Sequence, residues 1–123
     1  MGFKVTHIHL KSPDPDATIK WYVENLGAEV VRSTPNGGGY RINLHGLPIN
    51  ISAFVATQAH KQNYGFEHIG LNTDDPAGVA KTLEANGARL LEKCSGQGGR
   101  DVFFVDGPDG IMFEIAKAIQ AQP

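Results

Sequence analysis

The sequence has little of what marks secreted, membrane or nucleic-acid-binding proteins. Its 123 residues include one cysteine, Cys94, so no internal disulfide can form, and this cysteine usage fits a reducing compartment. Its apolar stretches are a few residues long, far below the ~20 that span a bilayer. Its 11 basic residues form no run and the net charge is -2, so nucleic acid and anionic membranes are poor partners. No charged and apolar leader opens the chain, so we expect a cytoplasmic protein.

What the sequence does contain is an internal repeat. Residues 7–16, HIHLKSPDPD, match residues 68–77, HIGLNTDDPA, in their His-Ile, Leu and Asp-Pro positions. A Gly-Ala pair follows in each copy, at 27–28 and at 87–88. Such ordered matches indicate two copies of one structural unit. We therefore interpret residues 1–123 as a single domain, with repeat modules 3–56 and 64–117 and a linker at 57–63.

Each module is predicted to be a βαβββ unit. In the first, alternating apolar positions over 4–11 indicate a strand, Asp14 and Pro15 are typical of a helix start, and Gly27 of its end. Strands are predicted at 28–33, 39–45 and 48–55, with a turn from Pro35 to Gly38. The second module repeats this order, with strand 66–73, a helix from Pro76 to Asn86, and strands 88–93, 101–105 and 111–116. Paired modules predict an α+β fold, a curved mixed sheet around a cavity with the helices outside.

The repeat also predicts a metal site. His7 and His68 open the two copies, and a pseudo-twofold relation places them opposite each other. Glu114 is a single carboxylate in an otherwise apolar strand, where burial without a partner costs several kcal/mol, although it could also be a surface residue of an edge strand. Aligning the copies at their turn glycines places Asn50 at the position of Glu114. Two imidazoles, a carboxylate and a weaker amide, acting directly or through water, suit Zn, Ni, Mn, Co or Fe.

Several further residues have more than one interpretation. His9 shares the strand face of His7 and could support or replace it as a ligand. Arg41, Asn43 and Arg100 could hold an anionic part of a substrate, or be exposed polar residues of their strands. His60 lies in the linker and reaches a ligand only if that loop folds over. We assign the aromatic side chains of Trp21, Phe54 and Phe103 to the core.

These segments resemble the vicinal oxygen chelate superfamily, which includes glyoxalase I, bleomycin-resistance proteins, methylmalonyl-CoA epimerase and extradiol dioxygenases. The resemblance is carried by H-I-x-L-x(3)-D-P at His7 and again at His68, by K-W-Y at 20–22, and by F-x-D-G-P-D-G-x-x-x-E ending at Glu114. The last motif has one extra glycine, Gly107. The resemblance implies the paired fold, a homodimer, and metal ligands at His7, His68 and Glu114. The fourth family position, commonly Glu or Gln in glyoxalase I, falls on Asn50.

The resemblance leaves three classes of function open. The first is a divalent-metal-dependent, glyoxalase-like lyase or isomerase acting on a small substrate with vicinal oxygens, with Glu114 as the base. The second is an Fe(II) extradiol-type dioxygenase, which a set of two His and one Glu resembles. The third is a small-molecule binding protein of the bleomycin-resistance type, without catalysis. We favour the enzyme, because three ligand types are retained.

Overall fold

The computed structural model describes residues 2–34 and 39–119, so the turn expected from Pro35 to Gly38 lies outside the described residues. The first repeat forms β1 (Lys4–Lys11), α1 (Pro15–Leu26), β2 (Glu29–Thr34), β3 (Gly39–Leu44) and β4 (Leu47–Ser52). The second forms β5 (Gly65–Asn72), α2 (Pro76–Ala85), β6 (Arg89–Ser95), β7 (Asp101–Asp106) and β8 (Met112–Ala116). Each element lies within a few residues of its predicted position. Neither helix in these ranges has the length and apolar character needed to cross a membrane.

The eight strands form one curved, mixed sheet, which confirms the predicted α+β fold class. Their order is β2-β3-β4-β1-β5-β8-β7-β6. In the first repeat β1 pairs with β4 in parallel, while β2, β3 and β4 form an antiparallel meander. In the second repeat β6, β7 and β8 form the matching meander. The parallel pair arises because α1 carries the chain away from β1 before the meander returns to it.

Both helices begin with the same local device. The Asp14 carboxylate accepts a hydrogen bond from the backbone N–H of Ala17 at 3.2 Å, and the Asp75 carboxylate accepts one from Gly78 at 3.1 Å. A proline follows each cap at the first helical position, where its missing N–H costs nothing. The two helices are therefore started by equivalent residues of the repeat, as the sequence predicts.

The chain packs as two compact units. The first, which we call the histidine unit, is His7–Thr57 with Lys61–His68. The second, which we call the linker-capped unit, contains Gln58–His60, the chain from Ile69 onward, and the segment before His7. Strands β1 and β5 each contribute residues to both units.

Each unit has an apolar core between its helix and its sheet. In the histidine unit, the buried members are Ile19, Ala28, Ile42, Ile49 and Ile51. In the linker-capped unit, they are Val79, Ala80, Phe103, Val105 and Ile115. The linker-capped unit has a further buried cluster on the other face of its strands, formed by Val102, Phe104, Met112 and Ala116.

Two of the three aromatic residues assigned to the core are exposed, so that prediction is wrong for them. Phe103 is 7 % exposed, but Trp21 is 53 % and Phe54 is 45 % exposed. Ile19 is the buried residue of α1, and a residue two positions later lies about 200° around the helix, which directs Trp21 away from the sheet. Phe54 lies beyond the end of β4 and stacks on Tyr64, with ring centroids 4.3 Å apart.

A β-bulge recurs at the equivalent place in both repeats. Between β2 and β3, the register shifts between Val30 and Arg32. Between β6 and β7, it shifts between Leu90 and Glu92. A bulge inserts one residue and so reverses the facing of the side chains that follow it. As a result, Glu92 lies opposite Phe104, whereas Leu90 lies opposite Val105 in the core under α2.

Candidate metal centre

Three histidines of the histidine unit meet on one side of its sheet. His7 and His9 are two residues apart on β1 and share a face, and His68 lies on the neighbouring strand β5. The ring centroids lie 5.8 Å apart for His7 and His9, 5.7 Å for His7 and His68, and 4.7 Å for His9 and His68. One ring nitrogen of each histidine lies within 4.8 Å of one nitrogen of each of the other two. Ligands bound at roughly 2.1 Å span at most about 4.2 Å, so small rotations would let one ion bridge the cluster.

The His68 ring is oriented by a buried carboxylate. Its Nδ1–H donates to Glu67 Oε1 at 2.9 Å, and both side chains are 2 % exposed. Lys11 Nζ lies 3.9 Å from the same oxygen, and its side chain is 1 % exposed. Metal-binding histidines commonly donate their second ring N–H to a carboxylate, which fixes the tautomer and directs the other nitrogen to the ion. Glu67 and Lys11 could not be identified from the repeat. The available signal was a charged residue in each of two strands that are otherwise predicted to be buried, Lys11 in β1 and Glu67 in β5.

His9 is held neutral and is anchored from the side. Burial lowers the pKa of His9 well below its usual value of 6.5, and the electrostatic effect of the neighbouring His68, Lys11 and His7 lowers it further. Its Nε2 lies 2.7 Å from Ser52 Oγ, in hydrogen-bond contact. An imidazole must be neutral to bind a metal, so this environment suits His9 either as a ligand or as a support for the other two.

The other predicted polar residues of the histidine unit extend the same face. Asn50 pairs with His9 across β1 and β4 and with Arg41 across β4 and β3, so the three side chains form one row. Arg41 donates a long hydrogen bond of 3.4 Å to Asn50 Oδ1. Burial, and then the charge of Arg32, lowers the pKa of Arg41. Asn43 accepts the backbone N–H of Gly46 at 2.7 Å, so its amide oxygen holds the turn between β3 and β4.

Glu114 and Arg100 belong to the linker-capped unit. Glu114 is half-buried and pairs with Phe104 across β7 and β8, on the face away from α2. Burial, followed by the charges of Glu92 and Glu114, raises the pKa of Cys94, which fits an unreactive thiol. Arg100 donates to the carbonyl oxygen of Lys117 at 2.6 Å and lines a surface cavity with Asp74 and Phe103.

The donor set fits a divalent transition metal. Three imidazoles in a buried cluster, one of them bound to a carboxylate through its second nitrogen, are ligands that Zn, Ni, Co and Fe favour. The local repeat explains the arrangement, because His7 and His68 occupy the same position in the opening strands of the two copies. The site is thus a cluster of three histidines that could hold a divalent metal ion, in a sheet built from two similar units.

Comparison with known proteins identifies the family. Residues 4–115 match the Glyoxalase/Bleomycin resistance protein/Dioxygenase superfamily, and the chain belongs to it. A probable lactoylglutathione lyase from Vibrio parahaemolyticus is 26% identical over 128 residues, which cover 96% of this chain and 93% of that protein. A probable chloroplastic lactoylglutathione lyase from Arabidopsis thaliana is 28% identical over 91% of this chain, which spans 35% of the plant protein.

Solved structures share the fold. A hypothetical protein from Bacillus halodurans superposes with a TM-score of 0.73 at 17% identity, covering 100% of this chain and 99% of the other. Methylmalonyl-CoA epimerase from Mycobacterium tuberculosis superposes with a TM-score of 0.67 at 18% identity, covering 94% and 88% of the two chains. At these identities, the likeness concerns the architecture.

Proposed function

We propose that this protein is a divalent-metal-dependent lyase or isomerase of the glyoxalase type, acting on a small substrate with vicinal oxygens. The observation that carries the proposal is the cluster of His7, His9 and His68, in which one ring nitrogen of each lies within 4.8 Å of one nitrogen of each of the other two. The names of the relatives support the same class, because four of them are lactoylglutathione lyases or probable ones. Family membership supports Glu114 as a further ligand, through the motif that ends at this residue.

Each residue has a role in the proposed reaction. His7 and His68 would hold the ion, and Glu67 keeps the proton of His68 on Nδ1, which leaves Nε2 as the metal-binding atom. A divalent ion held there would supply Lewis acidity towards a substrate carbonyl and its developing negative charge. Glu114 acts as the base that removes the proton from the adjacent carbon. Asn50, at the fourth position, holds a water or the substrate through its amide.

Metal binding is the first test. Protein purified without a tag is stripped with a chelator and titrated with Zn²⁺ against a chromophoric competitor. We expect one ion per chain for the wild type, and a loss of affinity of at least about 100-fold for His7→Ala and for His68→Ala. His45→Asn is the matched control, because His45 is exposed and has a φ of 51°, which asparagine tolerates. If both alanine variants bind Zn²⁺ with the affinity of the wild type, the proposed metal site is wrong.

Turnover is the second test, and it separates the function classes. The metal-loaded protein is given the hemithioacetal of methylglyoxal and glutathione, methylmalonyl-CoA, and catechols. Isomerisation of either of the first two supports the proposal. If the purified protein contains iron and consumes oxygen when catechols are added, the protein is a dioxygenase and the proposal is wrong. Ligand binding that survives the double change of His7 and His68 to alanine would indicate a binder without metal chemistry.

The proposal includes a homodimer, as the family resemblance implies, and a cytoplasmic location. Light scattering on the purified full chain measures the mass directly. A mass of two chains supports the dimer, and a single-chain mass of 13.2 kDa contradicts it.

A further inference from the structure

His60 is a buried titratable residue to which the proposed reaction gives no role. Its side chain is 2 % exposed, and its ring packs against Phe104 with the centroids 4.3 Å apart. The sequence allowed His60 a role only if the linker folds over, and the structure shows this folding. Gln58–His60 pack with the linker-capped unit, while the residues on both sides belong to the histidine unit.

Glu92 fixes this part of the linker. Its carboxylate accepts the backbone N–H of Ala59 at 2.8 and 2.9 Å, and the backbone N–H of His60 at 2.9 Å. It also accepts a bond from His60 Nδ1–H at 2.6 Å. Burial alone would raise the pKa of Glu92, but these hydrogen bonds outweigh burial and lower it. Because a carboxylate oxygen accepts, it selects the imidazole tautomer that has its proton on Nδ1.

The other ring nitrogen of His60 therefore carries a lone pair. His60 Nε2 is buried and has no hydrogen-bond partner among the residues that the structure describes. Leaving a buried acceptor in this state is energetically unfavourable. Native structures leave few such groups, and those that remain often serve function. The contacts with Glu92 and Phe104 thus fix the position of the His60 ring and leave its Nε2 without a hydrogen bond.

The His60 ring lies on the sheet face that carries Glu114. Glu92 pairs with Phe104 across β6 and β7, and Phe104 pairs with Glu114 across β7 and β8. Side chains directly opposite on antiparallel strands share a face, with Cβ atoms about 4.5–5.5 Å apart. The three therefore form one row, and the His60 ring lies on its central member. The proposed base, Glu114, is the next residue along that row.

We propose that His60 is a second catalytic residue, whose Nε2 exchanges a proton with a substrate hydroxyl while Glu114 serves the adjacent carbon. This inference rests on the proposed function. In the isomerisation of a hydroxycarbonyl, Glu114 takes a proton from one carbon and returns it to the neighbouring carbon. His60 takes the hydroxyl proton from one oxygen as its carbonyl forms, and delivers that proton to the other oxygen. Two protons move, both residues return to their starting state, and no oxidant or reductant is required.

The alternative is that His60 and Glu92 only fasten the linker, and two substitutions separate these roles. His60→Asn keeps a side-chain N–H near the position of Nδ1, so it can still bond Glu92, but it lacks the Nε2 acceptor. Glu92→Gln keeps the shape of the carboxylate and removes the charge that fixes the ring tautomer. A fastening role predicts little effect of His60→Asn on turnover, whereas a catalytic role predicts a large one.

The first measurement is the ¹⁵N NMR spectrum of histidine-labelled, Zn²⁺-loaded full-length protein. We expect the His60 tautomer with the proton on Nδ1, and a mixture of tautomers in Glu92→Gln. The Nε2 resonance should shift when the glutathione hemithioacetal is added. A wild-type tautomer with the proton on Nε2 overturns the inference.

The second measurement is kinetic. With the hemithioacetal, which carries the hydroxyl that the proposal requires, we expect His60→Asn to lower kcat by at least about 100-fold. Zn²⁺ affinity should stay within twofold, and added imidazole should restore part of the activity of His60→Ala. A kcat in His60→Asn within threefold of the wild type overturns the inference.

Failure of the proposed function remains distinguishable from failure of this inference. If the wild type binds Zn²⁺ but turns over neither substrate, the proposed reaction is wrong. The Nε2 resonance then decides about His60. A shift on addition of the hemithioacetal supports an acceptor that contacts the ligand, and an unchanged resonance overturns it.

Discussion

The two units share one plan of strands and helices, yet the sheet faces that lie away from their helices differ in chemistry. In the histidine unit, this face carries His7, His9, Asn50, Ser52 and Arg41. In the linker-capped unit, it carries the apolar cluster around Phe104, with Glu92 and Glu114 among it. The faces towards the helices are apolar in both units. The side of each unit that packs against its helix is therefore apolar, as the fold requires, and the two units differ on the other side.

The largest effect should come from the apolar face. Phe104 is 1 % exposed, so Phe104→Ala should lower the free energy of unfolding by about 3–5 kcal/mol. Trp21→Ala is the matched control from the histidine unit, since Trp21 is 53 % exposed, and it should cost about 1 kcal/mol or less. Urea denaturation measures both. Equal losses would show that the two aromatic side chains are buried alike, which contradicts the comparison.

A substitution that disturbs the histidine cluster of the histidine unit should lower the affinity for Zn²⁺. Glu67→Gln keeps the shape of the side chain but weakens its hold on His68, so we expect Zn²⁺ affinity to fall by about 10–100-fold. Glu24→Gln is the control, because Glu24 is an exposed carboxylate that also pairs with a lysine, Lys20. Competition titration on the folded, metal-free variants gives the two affinities. An unchanged affinity in Glu67→Gln would limit Glu67 to a structural role.

Acid should weaken the linker-capped unit through Glu92. Its folded pKa is lowered from the ordinary value of 4.5, so its contribution to stability is present above that value and is lost as the pH falls below it. Unfolding free energy measured against pH should therefore fall more steeply below pH 4.5 in the wild type than in Glu92→Gln. Parallel curves would contradict the assignment of this slope to Glu92.

The smallest effect should be the same in both units. Asp14→Ala and Asp75→Ala each remove a helix cap, and each should cost about 1 kcal/mol of stability. Thermal or urea denaturation of the two variants provides the comparison. A clear difference between them would show that the repeat is less symmetric at its helix starts than the hydrogen bonds indicate.

Much of the fold was predictable because its signals are local. Asp-Pro starts, glycine ends and strand alternation depend on neighbouring residues, and the repeat supplied the pairing of modules. The pairing of His7 with His68 followed from that repeat. Glu67 was not identified, because its role depends on the distant Lys11. His60 could be given only a conditional role, because that role depends on the folding of the linker onto Glu92. Such contacts join residues up to 56 positions apart in the chain, beyond the reach of periodicity.

The paired bulges have a consequence for insertions and deletions. Loss of one codon at Leu91 would remove the inserted residue, so Leu90 and Glu92 would follow each other in simple alternation and keep their partners Val105 and Phe104. Glu92 would therefore keep its face, and the linker would keep its anchor. The equivalent loss at Val31 would leave Arg32 opposite Arg41. In a regular stretch of either strand, the same deletion would turn every later side chain to the opposite face.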